Sequence, residues 1–185
     1  CDVKHSIAVG SGTDAIFLSL KALGVGPGDE VITTAFTFYA TVGAIATTGA
    51  KPIFCDIKND YNIDPEEIEK KITKKTRAIV PVHWSGRSCD MDEIAAISNK
   101  FNIPIISDSC HAIKAKYKNK SLASLGLSSC YSFHPLKNLN VWGDGGIIAT
   151  NSDSLANKLR LIRNHGLLNR DECIEFAYNS RLDTI

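Results

Sequence analysis

The stretch Ala78-Ile79-Val80-Pro81-Val82, followed by a helical pattern over residues 90–100 and by Pro104-Ile105-Ile106-Ser107, determines the predicted fold. The first and last segments are continuous apolar runs, which are typical of strands buried on both faces. A helix between two such strands predicts a parallel β-α-β unit. The chain is therefore expected to form an α/β fold with a parallel sheet between helices.

The same alternation of apolar runs and helical patterns extends through the rest of the chain. We predict further strands at 7–9, 31–34, 52–55, 129–133 and 146–150, and further helices at 13–23, 39–48, 64–72 and 153–164. Ligands of parallel sheets bind at the carboxyl ends of the strands. Polar residues that directly follow a predicted strand are therefore the first candidates for a site.

Composition narrows the class of protein. The 185 residues are 44% hydrophobic and 22% charged, which is typical of a single soluble domain. The net charge of +1 argues against a nucleic-acid or membrane-surface partner. No apolar run reaches the roughly 20 residues of a spanning helix, and no signal segment is evident, so we expect a cytoplasmic protein.

Cysteine spacing and the two ends of the chain lead to further expectations. The six cysteines include no closely spaced pair typical of metal ligands, so we expect reduced thiols and no metal site. The chain begins with Cys1 and soon enters a predicted strand, and it stops after the polar stretch 179–185. We expect residues 1–185 to form one domain that is incomplete at both ends.

The turn Gly10-Ser11-Gly12-Thr13-Asp14-Ala15 lies between a predicted strand and a predicted helix. Free backbone N–H groups at a helix start can bind a phosphate, but a tight turn with a helix N-cap explains the residues equally well. The turn also matches a dinucleotide-binding pattern, which requires an acidic residue after the second strand. Asp29 and Glu30 precede that strand, so a nicotinamide site is disfavoured.

Asp108 ends the apolar run 105–107, so its carboxylate should emerge at the ligand edge of the sheet. An aspartate there can bind the ring nitrogen of pyridoxal phosphate, although a helix N-cap aspartate is the simpler explanation. His111 could face the same cavity or serve only the structure. These alternatives stay open from the residues alone.

Lys137 follows Ser132-Phe133-His134-Pro135-Leu136 and precedes the glycine-rich segment Gly143-Asp144-Gly145-Gly146. Most loop lysines are simply solvated. A lysine at a strand end, however, can attack an aldehyde and later move a proton at the substrate carbon. Lys137 and Asp108 together could therefore hold the two reactive nitrogens of a pyridoxal cofactor.

Aromatic residues follow two of the predicted strands. Phe36, Phe38 and Tyr39 come after the second strand, and we expect at least one of them to pack in the core while another stacks on a flat ring. His83-Trp84-Ser85-Gly86 follows the strand 78–82 and is expected to line the pocket.

In combination, these motifs are far more specific than any one of them. They are Gly12-Thr13-Asp14-Ala15, Gly26-Pro27-Gly28-Asp29-Glu30-Val31-Ile32, Thr37-Phe38, Asp108 with His111, Ser132-Phe133-His134-Pro135-Leu136-Lys137-Asn138-Leu139, Gly143-Asp144-Gly145-Gly146 and Asn179-Ser180-Arg181-Leu182-Asp183. The chain resembles the DegT/StrS family of pyridoxal-phosphate-dependent sugar-nucleotide aminotransferases. The resemblance runs in order along almost the whole chain.

The resemblance implies a three-layer α/β/α fold with a mostly parallel seven-stranded sheet, the large domain of the fold type I transferases. It places Lys137 at the Schiff-base position and Asp108 at the pyridine nitrogen of pyridoxal 5'-phosphate. His111 falls near the phenolic oxygen of the cofactor, and Phe38 falls where an aromatic ring stacks on it.

The resemblance also assigns the phosphate of the cofactor. Gly12, Thr13 and Ser132 match the phosphate cup, and Asn179 matches a residue that reaches the phosphate of the neighbouring subunit. A homodimer with shared active sites is implied. The family also extends upstream of this chain and carries a small C-terminal domain downstream of it.

The implied reaction transfers an amino group, with L-glutamate as the expected donor, to a keto sugar linked to a nucleotide. Three positions differ from the family pattern, namely Thr34, Lys114 and Leu127. Three alternatives remain: a sugar dehydratase of the same family, a nicotinamide oxidoreductase, and a non-catalytic protein that kept the fold. Dehydratases that resemble this sequence have histidine in place of Lys137. For the fragment alone we expect little or no activity.

Overall fold

The computed structural model describes residues 2–184, and a seven-stranded sheet forms their centre. The strands of this sheet are β1 (His5–Val9), β2 (Glu30–Thr34), β3 (Lys51–Cys55), β4 (Thr76–Ile79), β5 (Ile106–Asp108), β8 (Ser128–Ser132) and β9 (Gly146–Thr150). Two short strands, β6 (Lys116–Tyr117) and β7 (Lys120–Ser121), form a separate hairpin.

The sheet has two parts that backbone contacts join. One part has the order β3-β2-β4 and the other β1-β9-β8-β5. Parallel bridges connect Ile79 with Ile105 and Val82 with Asp108, so the complete order is β3-β2-β4-β5-β8-β9-β1. Only β9 runs against its neighbours β8 and β1, and the other described neighbours pair in parallel. The predicted mostly parallel seven-stranded sheet is confirmed.

Five α-helices lie close to their predicted positions. They are α1 (Gly12–Ala22), α2 (Tyr39–Thr47), α3 (Pro65–Lys71), α4 (Met91–Phe101) and α5 (Asp153–Ile162). Local capping explains several of their starts, since Ser11, Asp64 and Ser152 each accept a hydrogen bond from a first-turn N–H group.

Apolar side chains on successive strand residues point to opposite faces of the sheet and supply two cores. In β2, Val31 packs into a core with α1, α2 and α5, whereas Ile32 packs into a core with α3 and α4. Ile106 and Ile105 divide in the same way at β5. The helices therefore cover both faces, and the predicted three-layer α/β/α architecture is confirmed.

The cysteines of residues 2–184 are free thiols. Cys55, Cys89 and Cys130 are buried, Cys110 is partly buried and Cys173 is exposed. Cys1 lies outside the described residues. Among the described residues, no helix is long and apolar enough to cross a membrane.

Candidate active site

A cavity of about 580 Å³ opens at the carboxyl ends of the central strands. Seven of the eight residues predicted to bind a cofactor line it, namely Gly12, Thr13, Phe38, Asp108, His111, Ser132 and Lys137. The sheet thus gathers residues from four separate segments of the chain. The exception is Asn179, which lies beside Thr13 in a second, more open cavity.

One wall of the cavity, called the glycine wall here, consists of residues 11–13 and Ser132. The Ser11 side chain accepts a hydrogen bond from Asp14 N at 3.0 Å, so the turn is a helix N-cap. A Cβ atom on Gly12 would lie 2.6 Å from Ser132 Cβ and 2.9 Å from Cys110 Sγ, so only glycine fits. The first amides of α1 have no partner within the helix and can donate to an anion. The N-cap and the anion site are therefore compatible.

Asp108 is the last residue of β5 and projects into the cavity. Its Oδ2 accepts a hydrogen bond from Thr41 Oγ1 at 2.7 Å, and its Oδ1 accepts one from Cys110 N at 3.1 Å. No α-helix begins directly after Asp108 in the described residues, so the alternative of a helix N-cap aspartate does not apply. The carboxylate is held at the ligand edge of the sheet.

Lys137 lies in the loop between β8 and β9, where its N–H donates to His134 O at 2.8 Å. The side chain is partly buried and lines the cavity. None of the ion pairs found within residues 2–184 includes Lys137, so its ammonium has no carboxylate partner there. Lys137 is therefore a partly buried lysine at the cavity and not a fully exposed one.

A cluster of aromatic side chains, called the aromatic wall here, contains Phe36, Tyr61, Trp84 and His111, and of these four residues His111 lines the cavity. The ring centroids of Trp84 and His111 are 5.5 Å apart, those of Phe36 and Trp84 are 4.8 Å apart, and those of Phe36 and Tyr61 are 5.2 Å apart. Burial lowers the pKa of His111, and the positive charge of Lys137 lowers it further, while Asp108 opposes both effects. His111 is therefore held toward its neutral form.

The prediction for residues 83–86 is correct only in part. Ser85 lines the cavity, but His83 is completely buried, and its Nδ1 accepts a hydrogen bond from Cys89 N at 3.1 Å. Burial lowers the pKa of His83 to about 4. His83 is therefore a buried residue that does not line the pocket.

The expectation that one of the aromatic residues after β2 packs in the core is wrong. Phe36, Phe38 and Tyr39 are 40%, 56% and 76% exposed, respectively. The strand ends at Thr34, and the three residues follow it at its carboxyl end, where Phe38 caps α2 and Tyr39 begins it. Phe38 still lines the cavity, as a stacking residue would.

The structure does not place Asp29 or Glu30 where a nicotinamide cofactor would need an acidic residue. Asp29 precedes β2, where its carboxylate accepts a hydrogen bond from Gly26 N at 3.0 Å. The Glu30 carboxylate accepts a hydrogen bond from Thr73 Oγ1 at 2.5 Å. Both carboxylates lie at the amino end of β2, away from the ligand edge.

Several residues at the cavity escaped sequence reasoning. Thr41, Cys110 and Tyr131 line it, and Thr41 makes the shortest hydrogen bond found to Asp108. Thr41 lies 67 residues before Asp108, and no spacing rule connects two such positions. A threonine in a largely apolar helix was the available signal, and Thr47 in the same helix shows the same pattern.

The fold and the cavity define the class of the protein, which is the large domain of the fold type I pyridoxal-phosphate-dependent transferases. The structure of NtdA from Bacillus subtilis with bound cofactor PMP matches with a TM-score of 0.92 at 38% identity, over 97% of this chain and 41% of that chain. The aminotransferase PseC from Helicobacter pylori matches with a TM-score of 0.90 at 35% identity, over 97% of this chain and 50% of that chain.

The sequence model of the DegT/DnrJ/EryC1/StrS aminotransferase family matches residues 1–185, and the chain belongs to this family. A relative from Geobacillus stearothermophilus named pleiotropic regulatory protein is 53% identical over 97% of this chain and 49% of its own length. The UDP-2-acetamido-2-deoxy-3-oxo-D-glucuronate aminotransferase of Pseudomonas aeruginosa is 46% identical over 98% of this chain and 51% of its own length. The chain thus spans about half the length of the curated relatives it matches.

Proposed function

We propose that the protein is a pyridoxal-phosphate-dependent aminotransferase that acts on a keto sugar linked to a nucleotide, with L-glutamate as the amino donor. The observation that carries this proposal is that Lys137 and Asp108 line one cavity together with the glycine wall. Relatives named as aminotransferases of UDP-linked oxo or dehydro sugars support the substrate class.

The residues of the cavity fit pyridoxal phosphate. The start of α1 and Ser132 offer donors for the phosphate, and Phe38 offers an aromatic face. Asp108 offers an acceptor for a protonated ring nitrogen, and Lys137 offers an amine for covalent attachment. When bound, this cofactor supplies an electron sink for the negative charge that develops on the substrate carbon.

The side chains of this chain have separate duties in the proposed reaction. Lys137 Nζ would hold the cofactor covalently and would carry a proton at the substrate carbon. Asp108 orients the ring, and His111 stands beside it as a largely neutral group. The cavity walls keep water away from the reacting atoms.

The first test is the visible absorbance of the protein with pyridoxal phosphate, before and after Lys137→Ala. We expect a bound-cofactor band in the wild type that sodium borohydride fixes to the chain, and neither result in the variant. Lys114→Ala serves as the matched control, because Lys114 is an exposed lysine outside the cavity. An unchanged band in Lys137→Ala would remove Lys137 from the proposed role.

Two other functions are separated by product analysis. A dehydratase of the same family is disfavoured, because dehydratases that resemble this sequence have histidine at the position that Lys137 occupies here. A regulatory role is favoured only by the name of the Geobacillus relative. Amination of an oxo sugar nucleotide with consumption of glutamate distinguishes the aminotransferase from both.

The remaining proposals concern assembly and location. We propose a cytoplasmic homodimer with shared active sites, in which Asn179 reaches the phosphate of the neighbouring subunit. The exposed position of Asn179 outside the main cavity is compatible with that role. Sedimentation at several protein concentrations tests the dimer. A mixture of Asn179→Ala and Lys137→Ala subunits, which restores activity only if the sites are shared, tests the role of Asn179.

A further inference from the structure

Thr41 connects helix α2 to the carboxylate of Asp108. Its side chain is only 1% exposed, and its Oγ1 lies 2.7 Å from Asp108 Oδ2. Thr37 Oγ1 lies 2.8 Å from Thr41 Oγ1 and belongs to a partly buried residue of the cavity wall. The two hydroxyls and the carboxylate therefore form a continuous row of hydrogen bonds.

The chemistry of the three groups determines the direction of this row. A hydroxyl has one proton to donate, whereas a carboxylate only accepts. The Thr41 proton is therefore committed to Asp108, and Thr37 must donate to Thr41. All donors point toward the carboxylate, so the row stabilises negative charge on Asp108.

The other carboxylate oxygen is also held by the chain. Asp108 Oδ1 accepts a hydrogen bond from Cys110 N, so both oxygens are fixed from two directions. No arginine or lysine of residues 2–184 forms an ion pair with Asp108. The carboxylate is thus oriented by neutral donors and is left without a cation.

The contact is not a default of threonine in a helix. Threonine hydroxyls in helices commonly bond to a carbonyl of the preceding turn. Thr47 does so in the same helix, where its Oγ1 donates to Gly43 O at 2.7 Å. Thr41 instead directs its hydroxyl out of the helix to Asp108.

We propose that Thr41, with Thr37 as its outer partner, is a positioning residue that orients the Asp108 carboxylate for the protonated ring nitrogen of bound pyridoxal phosphate. The inference rests on the proposed function, since it needs that cofactor. The inference assigns a role to residues 37–41, which lead into α2 and form its start, because Thr37, Phe38 and Thr41 all line the cavity. One turn would therefore supply both the stacking ring and the orienting hydroxyls.

The test compares Thr41→Val, which keeps the shape but lacks the hydroxyl, with Thr41→Ser, which keeps the hydroxyl. Thr33→Val is the matched control, since Thr33 is equally buried and donates to Val80 O at 2.9 Å, away from Asp108. Two readouts are measured: the dissociation constant of pyridoxal phosphate from the apo protein, and the ¹⁵N shift of ¹⁵N-labelled cofactor against pH. The shift reports protonation of the ring nitrogen.

We expect Thr41→Val to bind the cofactor about tenfold more weakly, as for one lost hydrogen bond to a charged group. We also expect its ring nitrogen to lose the proton at lower pH than in the wild type, and Thr37→Val to show a smaller change in the same direction. Thr41→Ser and Thr33→Val should both resemble the wild type in the ¹⁵N titration.

Each contrary result has a separate meaning. If Thr41→Val titrates like a wild type that binds the cofactor, the inference is overturned and the proposed function stands. If Thr33→Val shifts the titration as much as Thr41→Val, general packing explains the effect and the inference is also overturned. If the wild type does not bind pyridoxal phosphate, the proposed function itself fails.

Discussion

The glycine wall is made of backbone in close contact, whereas the aromatic wall is made of side chains that are partly exposed. At Gly12 there is no space for one additional carbon atom. Phe36 and Tyr61 of the aromatic wall are 40% and 55% exposed. The glycine wall therefore depends on one backbone position that no larger residue can occupy, whereas the exposed rings of the aromatic wall can be changed with less disturbance of the core.

The largest expected effect is that of Gly12→Ala. The new Cβ would overlap Ser132 and Cys110, and overpacking of this kind costs about 3 kcal/mol. Gly43→Ala is the control, because Gly43 lies inside α2 with no atom within 4 Å of the new carbon. There alanine should stabilise by about 0.5–1 kcal/mol. Urea unfolding measures both, and equal effects would mean that the backbone at Gly12 is not more tightly packed than the backbone at Gly43.

A smaller effect is expected from pH through His83, which is fully buried and directly precedes Trp84 of the aromatic wall. Its pKa is lowered from 6.5 to about 4 in the folded state, so the unfolded chain binds more protons between these values. The free energy of unfolding should therefore fall by about 2 kcal/mol as the pH decreases from about 6.5 to about 5.

Urea unfolding over a pH series checks this prediction, with His83→Gln as the variant that lacks the ionisable ring. Its stability should depend less on pH in that range than the stability of the wild type. Should the variant not fold, NMR titration of His83 in the wild type decides the matter. A His83 ring that titrates near its ordinary pKa would show that water reaches the ring and would contradict the prediction.

The smallest expected effect concerns His111 in the aromatic wall. Burial is the main cause of its lowered pKa, and the charge of Lys137 is the second. Lys137→Met should therefore raise the pKa of His111 in the apo protein, because protonation no longer meets that repulsion. Lys114→Met removes an exposed lysine from the segment that carries His111 and should leave the pKa of His111 unchanged. NMR titration of the imidazole distinguishes the two, and a response only to Lys114→Met would contradict the arrangement of the cavity.

The predicted elements of the central sheet were confirmed because its strands are apolar runs and its helices have regular apolar spacing. The hairpin of β6 and β7 was missed, since Lys116, Lys118 and Lys120 give it no apolar pattern. Its turn residues Lys118 and Asn119 both have positive φ angles without any glycine. Propensity rules therefore did not predict a turn there.

The candidate site was predictable where a residue directly follows a strand. Asp108 directly follows the apolar run 105–107 and ends β5, so strand periodicity alone places it at the ligand edge, whereas Ser132, the last residue of β8, was assigned through the family resemblance. Thr41 lies inside a helix, and its contact with Asp108 depends on how α2 packs on the sheet. The burial of His83 likewise follows from packing and has no local signal.

By itself the sequence determined the elements, the family and the chemical groups at strand ends, because periodicity and motif composition are local properties. Only the tertiary structure decided which groups meet. The strand order β3-β2-β4-β5-β8-β9-β1 differs from the order along the chain, and it places Gly12, Asp108 and Lys137 around one cavity. The physical reason is that adjacency depends on how helices pack across the sheet, which is a property of the whole core.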